Sequence, residues 1–174
     1  MKNTVRITSG IYRGRMISTP GKNTHPMGDR ERLALFNMIS DYLPGATVLD
    51  AYAGSGALGI EALSRGAYSV VFIEKSREAE KCIKNNLKAI SIDGCTVLCK
   101  KAEDFETDKE IDVILADPPY DDFQIEGVIH LAQFLKKGGV LVLSHPGETP
   151  EIDNLTLKTS KNYAGATISI FVKM

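Results

Sequence analysis

Short apolar runs alternate with amphipathic stretches through the middle of the chain. "ATVLDA" (46–51), "SVVFIE" (69–74), "TVLCK" (96–100), "DVILAD" (112–117) and "GVLVLS" (139–144) are dominated by β-branched and aliphatic residues. Continuous runs of this length predict strands buried on both faces. A glycine-rich turn and a helix over about 57–66 follow the first run. "SREAEKCIKNNLKAIS" (76–91) has helical spacing, with Ala79, Cys82, Ile83, Leu87 and Ile90 on its inner side. A helix over 122–137, closed by Gly138-Gly139, is predicted before the fifth run.

The two ends of the chain read differently. "VRITSGIYRGRMIST" (5–19) alternates and turns at Gly10 or Gly14, predicting a small β-hairpin. A loop over 20–29 leads to a helix over about 30–43. Asp29 is its expected N-cap, Leu33, Leu35, Phe36, Ile39 and Leu43 its apolar stripe, and Pro44-Gly45 its end. "NLTLKTSKNYAGATISIFVKM" (154–174) reads as two strands with no helix between them, an antiparallel hairpin. The expectation is an α/β fold: a seven-stranded, mostly parallel, Rossmann-like sheet with an antiparallel C-terminal strand and a small N-terminal β-hairpin. Residues 1–28 form the basic hairpin extension and loop, and 29–174 the main domain.

Length and composition fit one domain: 174 residues, 43% hydrophobic and 25% charged. No apolar run approaches the ~20 residues of a membrane span, and "MKNTVRITSG" lacks a signal peptide's apolar core. A cytoplasmic location is expected. Cys82, Cys95 and Cys99 are an odd count without zinc-knuckle spacing, so free, buried thiols are expected and no metal is called for. His130 reads as a packed or surface helix residue, and His145 as a loop residue near the fifth strand. The net charge of −1 hides an asymmetry. Residues 1–32 carry seven Lys and Arg against two Asp and Glu. A basic arm on an acidic body points to a polyanionic partner such as nucleic acid.

In a parallel sheet, ligands bind beyond the carboxyl ends of the strands. The first strand runs into "LDAYAGSGALGIEAL", where Gly54, Gly56 and Gly59 match G-x-G-x-x-G. That turn fits dinucleotides and other adenosyl ligands alike. Asp50 stands four residues before Gly54, where it would repel a pyrophosphate but suit a ligand carrying an ammonium group. Glu74 ends the second strand, where a carboxylate accepts both ribose hydroxyls of either ligand class.

The fourth strand ends in Asp117-Pro118-Pro119-Tyr120. Two prolines cannot continue a central strand, because neither has an N–H for the ladder. They do offer carbonyls in a stiff, extended geometry. An exocyclic amine on a nucleobase is a poor nucleophile, because its lone pair is delocalised into the ring. The Asp117 carboxylate and the Pro118 carbonyl can each accept one of its N–H groups and favour a tetrahedral nitrogen. Tyr120 can stack on the base. This chemistry suits methyl transfer from S-adenosylmethionine, and a dehydrogenase has no use for it.

These residues resemble the class I S-adenosylmethionine-dependent methyltransferases whose [DN]-P-P-[YF] motif marks amino-group methylation. They are most similar to the RsmD-type family of bacterial 16S rRNA guanine-N2 methyltransferases. The resemblance spans nearly the whole chain: "RITSGIYRGR", "DRERLALFNMI", "VLDAYAGSGALGIEALSRGA", "FIEKS", Asn85-Asn86 and "LADPPY". It implies that Asp50, Ala53, Gly54 and Gly56 line the methionine end of the cofactor. Glu74 and Lys75 flank its ribose, and Ala102 and Glu103 border its adenine. Asp117, Pro118, Pro119 and Tyr120 hold the guanine amino group. Arg6, Arg13, Arg15 and Arg30 grip phosphates of 16S rRNA or the small ribosomal subunit. The chain departs from the family pattern at His25-Pro26-Met27, where Arg-Pro-Thr is usual. It departs again at Lys101, where an acidic residue is common, and at "SHPGE" (144–148), where a glutamate commonly ends the strand. The alternatives are base-amino methylation of another RNA or of DNA adenine, an RNA-binding protein that keeps the fold without turnover, and an NAD oxidoreductase.

Overall fold

The computed structural model describes residues 4–21, 26–163 and 165–174, so Lys2, Lys22 and His25 lie outside the described residues. The hairpin strands β1 (Thr4–Arg6) and β2 (Met16–Ser18) pair antiparallel. Then come α1 (Asp29–Met38), β3 (Thr47–Ala51), α2 (Ala57–Ser64), β4 (Ser69–Glu74), α3 (Arg77–Ala89), β5 (Thr96–Cys99) and β6 (Ile111–Ala116). The last elements are α4 (Ile125–Ala132), β7 (Leu135–His145), β8 (Leu155–Tyr163) and β9 (Ala166–Lys173). The main sheet has seven strands in the order β5-β4-β3-β6-β7-β9-β8. β3 through β7 are parallel, while β9 runs antiparallel to both neighbours. This is the expected architecture. The chain moves outward from β3 to β5, then returns to place β6 on the other side of β3. Neighbouring strands at such a reversal leave a crevice at their carboxyl ends.

Side chains alternate across the sheet with period two. Val48, Val113, Leu115, Val140 and Val142 share a core with α1, α2, α3 and the hairpin. Leu49, Ala51, Ile114, Ala116, Leu141 and Leu143 pack with α4 on the other face. By the same alternation Asp50, Asp117 and Ser144 fall on the α2 face.

Several boundaries differ from expectation, each for a physical reason. α1 is capped by Gly28 rather than Asp29, and it ends at Met38 before a 3-10 turn over Ser40–Tyr42. The Asp29 carboxylate is taken by Arg6 and Arg32 instead of the helix N–H groups. Leu33 leaves the apolar stripe and is 40% exposed. α4 is much shorter than 122–137. Tyr120–Asp122 form a 3-10 turn, and Ile111 already pairs with Leu135, so the chain is in β7 before the two glycines. Gly138 and Gly139 lie in an irregularity of that strand, Gly138 with φ +75°. His145 is the last residue of β7, fully buried, with Nε2 2.9 Å from Ser169 Oγ. All three cysteines are free, but Cys82 and Cys95 are only half-buried and Cys99, on edge strand β5, is exposed. His130 packs in α4 with Nε2 2.8 Å from the Phe105 carbonyl. No helix among the described residues is long and apolar enough to cross a membrane.

The hairpin is stitched to the sheet through α2. Val5, Ile7 and Ile17 enter the core. Fully buried Glu61 accepts from Thr8 N (2.8 Å), Thr8 Oγ1 (2.7 Å) and Ser9 N (3.0 Å), and pairs with Arg65 at 3.0 Å and Arg32 at 3.7 Å. Gly10, with φ +81°, lies so close to α2 that a Cβ there would sit 1.8 Å from the Ser64 carbonyl oxygen. Helices in such folds run opposite to the strands. The hairpin turn at Ser64, and Arg15 on the Ala89 carbonyl, therefore lie toward the edge opposite the crevice. Glu61→Ala leaves buried Arg32 and partly buried Arg65 without their shared partner. It should cost about 3–5 kcal/mol, read as a fall in denaturant midpoint, with amide protection lost first at Thr8 and Ser9.

Candidate active site

The crevice is a cavity of about 930 Å³ at the carboxyl ends of β3 to β7. Its floor is the turn between β3 and α2. Tyr52 (φ +62°), Gly54 (φ +55°) and Gly56 (φ +80°) all take left-handed backbone there, which glycine adopts freely and tyrosine only under constraint. Gly54 lines the cavity with open space above it, and its N–H donates to Glu74 Oε2 at 2.9 Å. Glu74 Oε1 accepts from Ser76 N at 2.9 Å. The Glu74 carboxylate is thus pinned by backbone donors and still presents lone pairs to the cavity.

Asp50 is buried beneath α2. Its Oδ2 accepts from Gly59 N at 2.8 Å, and its Oδ1 is buried with no hydrogen-bond partner. Burial pushes its carboxyl well up from the usual range, with Asp117 and Glu74 adding like charge and only the Gly59 N–H opposing. A buried, unpartnered carboxylate oxygen at a cavity floor fits a cationic group in the ligand.

Beyond β6, Asp117, Pro118, Pro119 and Tyr120 all line the cavity. Burial raises the Asp117 carboxyl to about 6, opposed by a hydrogen bond from Ser144. The Tyr120 hydroxyl hydrogen-bonds Ser144 Oγ. On the α4 side, Tyr52 lies against Glu103, and burial with that charge pushes its phenol up to about 12. Ala102 and Glu103 form a 3-10 turn after β5, beside Lys75 at the end of β4.

Of the twelve residues the sequence marks for catalysis and cofactor, eleven line this one cavity. Gly56 stands behind it, as the left-handed N-cap of α2 packed near Ile83 and Phe72. The four marked arginines do not line it. Arg6 pairs with Asp29, Arg15 reaches Ala89, and Arg13 and Arg30 are exposed. Sequence reasoning missed Ser144 and Arg32. Ser144 is the penultimate residue of β7, and the sequence reading takes its candidates from the ends of the first four strands. Arg32 was counted as surface charge. It is fully buried at the cavity wall, held by the carbonyls of Met27 (2.8 Å) and Arg6 (2.6 Å). Tyr52 and the β8–β9 residues Tyr163, Ala166 and Ile168 also line it.

Comparison with known proteins gives the family and the fold. The family model described as "Conserved hypothetical protein 95" matches residues 5–172. Ribosomal RNA small subunit methyltransferase D of Haemophilus influenzae is 33% identical over 92% of this chain and 89% of its own length. The chain belongs to this family. YlbH of Bacillus subtilis is 31% identical over 97% of this chain and 99% of its own length. The solved structure of Escherichia coli YhhF superposes with a TM-score of 0.89 at 28% identity, covering 98% of each chain. The fold is that of the class I methyltransferases.

Gly59 sets how closely α2 approaches the sheet. A Cβ there would lie 2.3 Å from a Phe72 ring carbon and 2.9 Å from Val70 Cγ1, both in the core. Gly59→Val should lift the helix start, destabilise the protein by about 1–3 kcal/mol and weaken the N–H contact to Asp50. Thermal unfolding together with the amide exchange rate of residue 59 checks this.

Proposed function

We propose that this protein transfers a methyl group from S-adenosylmethionine to the N2 amino group of a guanine in bacterial small-subunit rRNA. The observation that carries this is the convergence in one cavity of Asp117-Pro118-Pro119-Tyr120 with the Asp50–Gly54–Glu74 floor. The name of the Haemophilus relative, a ribosomal RNA small subunit methyltransferase, supports the substrate class.

The residues present fit the cofactor. Asp50 would face its ammonium end, with Ala53 and Gly54 against the methionine backbone. Glu74 would take the ribose hydroxyls with Lys75 beside them, and Ala102 and Glu103 would border the adenine. When bound, the cofactor supplies an electrophilic methyl group on a sulfonium. Asp117 and the Pro118 carbonyl accept the two amine N–H groups and aim the nitrogen lone pair at the cofactor. Pro119 keeps that carbonyl rigid, and Tyr120 covers the base. As positive charge develops on the nitrogen, Asp117 stabilises it and then accepts the proton. A carboxyl raised by burial is suited to that step. Catalysis is mostly positioning and exclusion of water. The base reaches the cavity from an exposed or flipped-out position. Residues 1–28 extend the RNA-binding surface of the 29–174 body, with Arg6, Arg13, Arg15 and Arg30 on phosphates. Their spread from the crevice to the opposite sheet edge favours a partner contacted well beyond the target base.

Labelled methyl transfer to 16S rRNA and to small subunits from cells lacking the gene, followed by nucleoside digestion, tests the reading. Label in N2-methylguanosine is expected; label only in methyladenosine overturns the guanine assignment. Asp117→Ala should lower transfer by at least about 10³-fold while leaving cofactor affinity within a few-fold. Asp50→Ala should do the reverse, raising the cofactor Kd about 10–100-fold, as measured by calorimetry.

A further inference from the structure

The fifth parallel strand contributes one polar side chain to the reacting end of the cavity. Ala116 of β6 pairs with Leu143 of β7, so Asp117 and Ser144 are the next residues of two adjacent parallel strands, on the same face. Ser144 is only 2% exposed, and both it and Asp117 line the cavity. Its hydroxyl hydrogen-bonds the Tyr120 hydroxyl, and the strand register sets it beside the Asp117 carboxylate, whose ionised form it favours. An ionised carboxylate only accepts, so a bond between these two uses the Ser144 proton, and the Tyr120 hydroxyl then donates to Ser144. Such a bond joins the three side chains in one directed chain.

We infer that Ser144 is a positioning residue: held by the Tyr120 hydroxyl, it donates to one lone pair of Asp117 and fixes the carboxylate in the plane that accepts the substrate amine. The chain has a second consequence. Tyr120 is tethered at its hydroxyl, so its ring is locked over the base site and does not swing as a free lid. The neighbouring residue His145 takes no part, because it points to the opposite face and bonds Ser169.

Other charged groups line the same cavity as Asp117. Asp50 comes from β3 and Glu74 from β4. Asp121 and Asp122 follow Tyr120 in its own turn, and Glu31 and buried Arg32 come from α1. None of these is altered by a change at position 144, so a shift on Ser144→Ala reports the hydroxyl.

The inference rests on the reading of Asp117 as the amine acceptor, and the test separates the two. The Asp117 carboxyl carbon is followed by ¹³C NMR in the full chain, identified by its loss in Asp117→Asn, with no substrate present. Ser144→Ala should move its titration midpoint upward by about one pH unit, because a donor to the charged form is removed. Ser144→Thr, which keeps the hydroxyl, should restore it. Tyr120→Phe, which keeps the ring, should give a smaller shift in the same direction. Single-turnover methyl transfer near pH 7 should fall about tenfold in Ser144→Ala with RNA affinity unchanged. An unmoved midpoint in a folded Ser144→Ala protein, or no recovery with threonine, overturns the inference. A shifted midpoint in a protein that methylates no RNA keeps the Ser144 pair and discards the substrate assignment.

Discussion

Two carboxyls are forced together at the one place where the sheet reverses direction. Asp50, buried in β3, and Asp117, half-buried just past the end of β6, lie on the same face of adjacent parallel strands, and the Asp117 charge adds to the cost of ionising Asp50. A protein built for stability alone would not keep this pair, since a buried carboxyl beside a second acid is an expensive arrangement. The surrounding structure concentrates the cost. Gly59 lets α2 sit close enough to give Asp50 one N–H, while its second oxygen remains without a partner. The cavity therefore prefers a cation at its floor and a proton donor at its rim, the two ends of the proposed reaction.

The same constraint explains why the N-terminal hairpin is anchored so firmly. Its docking residue, Glu61, is on α2, the helix that roofs Asp50, and its second strand is tied to α3 by Asn86. Asn86 accepts from Ser18 N at 2.9 Å and donates to the carbonyls of Ser18 (2.8 Å) and Ser55 (2.9 Å). Ser55 belongs to the turn at the cavity floor. One asparagine thus joins the hairpin to the loop that shapes the site, and Glu61 joins it again from within α2. The proposed RNA-facing arm and the cofactor-facing turn are mechanically one unit.

Much of this was legible in the sequence because it is local or periodic. The parallel strands declared themselves as apolar runs, and the glycine turn and the Asp-Pro-Pro-Tyr stretch as backbone chemistry that no ordinary turn requires. Errors arose where tertiary pairing overrode local pattern. α4 lost its C-terminal part to β7, since Ile111 needed Leu135 as a partner. Asp29 gave up its capping role to two arginines. Ser144 and Arg32 could not be read from spacing: a serine at a strand end and an arginine in a basic segment look ordinary until the sheet order and the burial are known.

The claim that this carboxyl pair awaits a cation is tested most directly by proton release. Calorimetric titration with S-adenosylmethionine, repeated in buffers of different ionisation enthalpy, measures it. If Asp50 is held partly protonated by burial and ionises against the incoming charge, protons are released on binding. The release grows as the pH is lowered toward the midpoint of Asp50, and it disappears in Asp50→Asn. Binding with no net release at any pH, or with the same release in Asp50→Asn, would contradict the account.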